Sequence, residues 1–139
     1  MIIVKQGSAI NTHGFWGYWD DYCNYVAKNY GFKINDYEWL WSYNVKDILL
    51  SGRAITKIDQ LIVVLDFKLT KSNFFEASKF SVEFYKTSEL RKIKIDDSFD
   101  NYNLSINFVF STGIVDFVSS DECVDNKQSI IKFTNTIMK

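Results

Sequence analysis

The second half of the chain places apolar side chains at every second position, and this limits the fold more strongly than any other feature of the sequence. The clearest run has Leu61, Val63 and Leu65 on one side and Asp66 and Lys68 on the other. Successive side chains of a β-strand point to opposite faces, so the alternation predicts strands with one apolar face. Segments with this pattern are 61–69, 80–84, 93–95, 104–110, 114–118 and 131–137. The short connections between them favour antiparallel neighbours.

A helix predicted near the N-terminus supplies a cover for that apolar face. Between residues 16 and 30, apolar and aromatic side chains recur along one helix face, at Trp19, Tyr22, Cys23, Val26, Ala27 and Tyr30. Their spacing of three and four residues is typical of an amphipathic helix. Gly31 provides a natural end for it. We expect this helix to pack its aromatic stripe against the sheet.

The segment after the helix is rich in large aromatic rings. Tyr37, Trp39, Trp41 and Tyr43 alternate with other residues, which predicts a strand over 36–43. Asn44 is then suited to be the N-cap of a short helix over residues 45–50.

Together these patterns predict an α+β fold in which N-terminal helices pack on a five- to six-stranded, mainly antiparallel meander sheet. At 139 residues the chain has the length of one domain, 1–139. Because 47% of its residues are hydrophobic and its net charge is only −1, it can bury a sizeable core and is not expected to be disordered.

Side chains that carry enzyme chemistry are scarce. His13 is the only histidine, and the sequence nominates no nucleophile or acid to work with it. Cys23 falls on the predicted apolar helix face, where a buried thiol is the simpler interpretation. No glycine-rich phosphate loop is present. We therefore expect no catalysis and no cofactor.

Metal-binding patterns are incomplete. One histidine and two distant cysteines do not match the spacing of zinc sites. Asp96, Ser98 and Asp100 match the first positions of a calcium loop, but Asn101 and Asn107 stand where Gly and Glu are required. The sequence thus predicts no metal.

The expected compartment follows from what the N-terminus and the cysteines lack. The first residues have neither the basic start nor the long apolar core of a signal peptide. No apolar run approaches the ~20 residues that span a membrane. With two cysteines too few for a disulfide scaffold, we expect a cytoplasmic protein with no membrane partner.

The charges of the chain are strongly segregated. Residues 68–94 carry seven bases and three acids, whereas the stretch between Lys94 and Lys127 carries no base at all. That stretch holds seven acids: Asp96, Asp97, Asp100, Asp116, Asp121, Glu122 and Asp125. If the strands beginning near 104 and 114 form a hairpin, the loops 96–103 and 119–128 share one edge of the molecule. Such an edge would attract a basic partner.

Nucleic acid is a less suitable partner. Lys79, Lys92 and Lys94 are predicted to share an outer sheet face, as in some single-strand binders. However, Asp66 and Glu83 share that face and oppose a phosphate backbone. We expect no nucleic-acid binding.

In size, composition and charge layout the chain resembles the small immunity proteins of bacterial contact-dependent inhibition and other polymorphic toxin systems. The resemblance is carried by the seven acids of the base-free stretch, with Phe99 and Tyr102 as aromatic anchors among them. It implies a protein that binds and neutralises a basic toxin domain. A nuclease is a suitable target, because its cleft is positively charged to hold phosphates.

An alternative is an NTF2-like or other cone-shaped domain that binds a small molecule or a sugar. Trp16, Trp39, Trp41 and Tyr43 would line the cavity between a curved sheet and its covering helix. A catalytic version would pair His13 with Asp20 or Asp21. A pocket lined by these aromatic residues would favour this class, and a filled core would favour the inhibitor.

Overall fold

The structure is a computed structural model that describes residues 2–6, 14–99, 103–119 and 127–139. The strands in this part of the chain are β1 Ile2–Gln6, β2 Glu38–Lys46, β3 Leu49–Ile58, β4 Leu61–Thr70, β5 Lys79–Lys86, β6 Leu90–Asp97, β7 Leu104–Phe110 and β8 Gly113–Ser119. The α-helices are α1 Trp16–Tyr30, α2 Phe74–Ala77 and α3 Lys127–Met138, and single 3₁₀ turns lie at Ile34–Asp36 and Thr87–Glu89. The predicted α+β class is confirmed.

The strands form two antiparallel sheets instead of the one that the sequence predicted. Sheet A is a five-stranded meander in the order β1-β2-β3-β4-β5, and sheet B is a three-stranded meander in the order β6-β7-β8. Within each sheet every strand pairs with the next one along the chain, with helix α1 between β1 and β2 and helix α2 between β4 and β5. A strand therefore precedes the first helix, and helices do not come first as expected.

Helix α1 covers one face of sheet A, as predicted. It spans Trp16–Tyr30 and ends at Gly31, whose φ of 82° lies in the left-handed region where glycine is unstrained. Its Trp19 ring packs edge-on against Trp41 of β2 and Phe67 of β4. Since helix and sheet contribute interlocking aromatic rings, this first core is built largely from the aromatic residues of the N-terminal half.

The opposite face of sheet A is also apolar and is covered by sheet B and α3. It presents Ile2, Leu40, Ile55, Ile62 and Val64, all fully buried. The expectation of a single apolar face was wrong because β4 carries apolar residues at consecutive positions, so both of its faces need a cover. Sheet A is thus the middle of three layers, between α1 and the layer of sheet B with α3.

Residues 45–50 do not form the predicted short helix. They belong to the β2–β3 hairpin, whose turn is made by Asp47 and Ile48. Asp47 adopts a φ of 55°, and Asp is among the residues that tolerate this left-handed conformation. Pairing along the whole hairpin outweighed the helix-capping signal of Asn44.

The final segment is helix α3 and not the predicted strand over 131–137. Its buried residues are Ile130, Phe133, Thr134 and Ile137, which follow the helical spacing of three and four. The apparent alternation arose because Ile131, Phe133 and Ile137 also lie at odd positions. The Thr134 hydroxyl donates to the Ile130 carbonyl at 2.8 Å, which satisfies this buried polar group within the helix.

The described helices are short. The longest, α1, has 15 residues, and no helix in this part of the chain combines the length and apolar character of a membrane span.

Candidate acidic surface on the second sheet

The segments that flank the two acidic loops meet at one end of sheet B. Asp97 at the end of β6, Leu104 at the start of β7 and Ser119 at the end of β8 form one cross-strand row. Lys127, the first residue of α3, reaches the same place, since its Nζ donates to Asp97 Oδ1 at 2.6 Å and to the Ser98 carbonyl at 2.8 Å. The predicted hairpin of β7 and β8 is confirmed, and the chain enters and leaves both loops at this end.

Asp97 is held by a base of its own chain. The Lys127 side chain is 18% exposed in this ion pair, so its charge is largely withdrawn from solvent. The pair joins the end of β6 to the start of α3, which makes Asp97 an anchor within the fold. The sequence could not show this, because the two residues lie 30 positions apart.

The outer face of sheet B points away from sheet A and carries the other two described acids. Asp96 lies in one cross-strand row with Ser105 and Val118, and Asp116 lies with Asn107 and Lys94 in the next. Both carboxylates are exposed, and the Asn107 side-chain amide donates to Asp116. Lys94 Nζ is 3.7 Å from Asp96 Oδ2, an exposed pair that contributes little free energy.

The basic and acidic tracts of the sequence therefore interleave on this face. Lys92 and Lys94 on β6 stand on the same side as Asp96 and Asp116. The outer face is a mixed surface, and the separation into a positive and a negative region seen along the chain does not hold across it.

Exposed apolar side chains complete the outer face of sheet B. Ile114 is 61% exposed and Val118 54% exposed, on either side of Asp116 along β8. The ring of Phe99, beyond the end of β6, is completely exposed. Phe99 was among the predicted binding residues, whereas Ile114 and Val118 were not. The signal was present, because Ile114 to Val118 is apolar at four of five positions and so has apolar residues on both faces.

One edge of this face is tied to sheet A by Arg53 of β3. Its Nε donates to Asp66 Oδ1 at 2.7 Å, and its Nη1 donates to the backbone carbonyl of Asp116 at 2.9 Å. The carbonyl belongs to β8, an outer strand of sheet B. Arg53 therefore satisfies an edge acceptor that would otherwise be open to another strand.

Five of the predicted partner-binding residues lie outside the described residues: Asp100, Tyr102, Asp121, Glu122 and Asp125. Of the others, Asp96, Phe99 and Asp116 are exposed on or beside the outer face of sheet B, while Asp97 is engaged by Lys127.

The candidate residues for other chemistry do not assemble into a site in the described part of the chain. No three His, Cys, Asp or Glu side chains lie close enough there to hold a metal ion. Cys23 is buried, and burial, with a smaller contribution from Asp20, raises the pKa of its thiol to about 12. The thiol is therefore protonated near neutral pH and unsuited to nucleophilic attack. His13 lies outside the described residues.

The aromatic residues proposed to line a cone-shaped cavity fill the core instead. Trp39 and Trp41 are fully buried, with ring centroids 5.8 Å apart. The Trp16 side chain is outside the described part of the structure. A separate open cleft of about 220 Å³ lies between α1 and β5, lined in part by Tyr25, Phe75 and Phe80. Its volume is below that of typical ligand pockets.

Comparison of the chain with known protein families, with curated proteins and with solved structures gave no match.

Proposed function

We propose that this protein is an immunity-type inhibitor that binds a basic toxin domain, such as a nuclease, through the end and outer face of sheet B. It acts by occupying its partner, without catalysis. One observation carries the proposal. The residues that flank the two acidic loops meet at one end of sheet B, beside the fully exposed ring of Phe99.

The composition of this surface supports binding to a protein. Ile114, Val118 and Phe99 offer apolar groups that gain free energy when they leave water. Asp96 and Asp116 lie among them and can pair with lysine or arginine of a partner. An aromatic or aliphatic centre with charged groups around it is the usual anatomy of a protein interface.

The acidic residues are expected to act mainly on the rate of encounter. Exposed charges steer a partner of opposite sign and are screened by salt, whereas buried apolar contacts slow dissociation. Lys92 and Lys94 on the same face would restrict which cationic surface can dock, because a base on the partner that meets them is repelled.

The proposal predicts a gene for a basic toxin domain beside the gene for this chain. That domain, produced as an inactive variant, is the partner in the test, and its binding is followed by surface plasmon resonance. We expect Asp96→Lys with Asp116→Lys to lower the association rate about tenfold at low salt and to flatten its salt dependence. Asp36→Lys, at an exposed site in the 3₁₀ turn that precedes β2, is the matched control and should change neither.

A second pair of variants tests the apolar part of the surface. Phe99→Ala and Ile114→Ala should raise the dissociation rate while leaving the association rate nearly unchanged. Unchanged kinetics in both the charge-reversal and the alanine variants would place the interface elsewhere. Failure of the native chain to bind or protect against the neighbouring toxin would remove the immunity function itself.

A further inference from the structure

Strand β5 is an open edge of sheet A. It pairs with β4 over Lys79–Lys86, and among the described residues no other strand pairs with its outer side. An edge of eight residues offers a row of backbone donors and acceptors to another strand. Natural proteins usually cover or block such an edge. The side chains beside β5 therefore indicate which kind of strand could cover it.

Exposed aromatic rings line this edge on the side of α1. Tyr25 and Tyr30 of α1 pack edge-on against Phe80 of β5, with centroids 5.6 and 6.0 Å away. Phe75 is 83% exposed and Phe84 is 46% exposed. Aromatic residues are enriched in protein interfaces, and here they stand beside unpaired backbone.

We propose that a second copy of this chain pairs with β5 in antiparallel fashion, about a two-fold axis at Val82, to join two A sheets into one continuous sheet. In this register Phe80 faces Phe84 of the second copy, and Val82 faces its own symmetry mate. Both contacts lie on the α1 side, because Phe80, Val82 and Phe84 pair with the α1-facing residues Phe67, Leu65 and Val63 of β4.

The charges on the other side of β5 restrict the register but do not fix it alone. Lys79 and Glu83 share that side, and in this arrangement each lies diagonally across from the opposite charge of the second copy, in two symmetric pairs that outnumber the single diagonal pair of the two Glu83 side chains. Diagonal neighbours on paired strands are within reach of long side chains. Moving the axis by one residue to Glu83 would place the two glutamates directly opposite each other, which is unfavourable. Moving it to Ser81 would set Lys79 directly opposite Glu83 of the second copy but would lose the contact between Phe80 and Phe84, so the aromatic pair decides between these two registers.

An acidic side chain from a second copy would also relieve charge repulsion at Lys79. It stands directly opposite Lys68 on β4, and like charges in a cross-strand pair destabilise a sheet. A charged edge of this kind disfavours pairing with an arbitrary strand. The alternation of Lys79 and Glu83 makes the edge complementary to its own two-fold copy.

The cleft between α1 and β5 fits the same arrangement. Phe80 lines the cleft together with Tyr25 and Phe75. Because Phe84 of the second copy stands opposite Phe80, its ring lies at the mouth of this cleft and can enter it. The contact is confined to one strand and its aromatic border, which belongs to the small class of interfaces, so we expect a dissociation constant of about 1–100 µM.

Sedimentation equilibrium over a range of concentrations tests the dimer. We expect Lys79→Glu and Glu83→Lys each to weaken it about tenfold, because attractive contacts become repulsive at two symmetric places. The double variant should restore affinity to nearly that of the native chain. Lys46→Glu, an exposed charge reversal at the end of β2, is the control and should have no effect.

Amide hydrogen exchange locates the contact independently of any variant. Amides of β5 should become more protected as the protein concentration rises, while those of β8 should not. A chain that stays monomeric up to about 1 mM, or a dimer indifferent to both single charge reversals, would overturn the proposal. Since the outer face of sheet B is not involved, such a result leaves the proposed inhibitor function unaffected.

Discussion

A methyl group added at Gly52 should destabilise the fold, because β3 passes directly beneath the ring of Phe67. A Cβ built at this position would lie 2.8 Å from Phe67 Cζ, from Tyr43 Cβ and from the Ser42 carbonyl oxygen. Phe67 cannot move away easily, since its ring packs against Trp19 and Trp41. The carbonyl belongs to β2, so relieving that contact means shifting a paired strand.

The magnitude follows from two opposing effects. Overpacking a well-filled core costs about 1–3 kcal/mol, and replacing a strand glycine recovers about 0.5–1 kcal/mol of backbone entropy. We therefore expect Gly52→Ala to lower the free energy of unfolding by about 1–2 kcal/mol, which corresponds to a fall in Tm of about 5 °C for a chain of this size.

Urea denaturation monitored by tryptophan fluorescence measures this difference, and Gly17→Ala provides the matched control. Gly17 lies in the first turn of α1, where an added Cβ meets no atom within 4 Å. The same substitution there should stabilise the protein by about 0.5 kcal/mol through helix propensity. A Gly52→Ala protein as stable as the native chain would refute the reasoning about the Phe67 contact.

Two further predictions concern ionisable groups. The thiol of Cys23 has a pKa raised from 9.0 to about 12 in the folded state, so stability is unaffected well below pH 9 and falls as the pH rises through 9 toward 12. Between pH 7 and pH 10 the free energy of unfolding should fall by about 1.4 kcal/mol more for the native chain than for the Cys23→Ala variant. Urea denaturation at both pH values measures the two falls, and equal falls would contradict the burial of the thiol. Asp97→Asn should lower stability by about 0.5–1 kcal/mol at low salt by breaking the pair with Lys127, while leaving the association rate with the toxin domain unchanged. A large fall in that rate would instead make Asp97 part of the interface.

The sequence predicted local structure best where a single periodicity dominated. Helix α1 follows one clear spacing and was predicted with the bounds that the structure shows. The final helix was misassigned because Phe133 and Ile137 fit both periods, and the decisive Ile130 was not considered. Only burial against sheet A distinguishes the two possibilities.

The three-layer arrangement was harder to predict, because apolar residues on the second face of a strand can be taken for isolated exceptions on a polar face. Ile62 and Val64 interrupt the polar side of β4, and together they require a second cover. The candidate site was predicted in part. The meeting of the loops' flanking residues follows from the β7–β8 hairpin, whereas the pairing of Asp97 with Lys127 and the exposure of Ile114 depend on tertiary packing.

The central position of sheet A has a consequence for the order of events during synthesis. Its strands are complete once residue 86 has left the ribosome, yet the cover for Leu40, Ile55 and Val64 comes from sheet B and α3, between residues 90 and 137. Until those residues emerge, the nascent chain exposes this apolar sheet face to water, and such a partly folded chain is prone to aggregation and to capture by chaperones. Ile2 and Ile137 belong to the same apolar cluster, so packing around one of the first residues to be synthesised is completed only by one of the last.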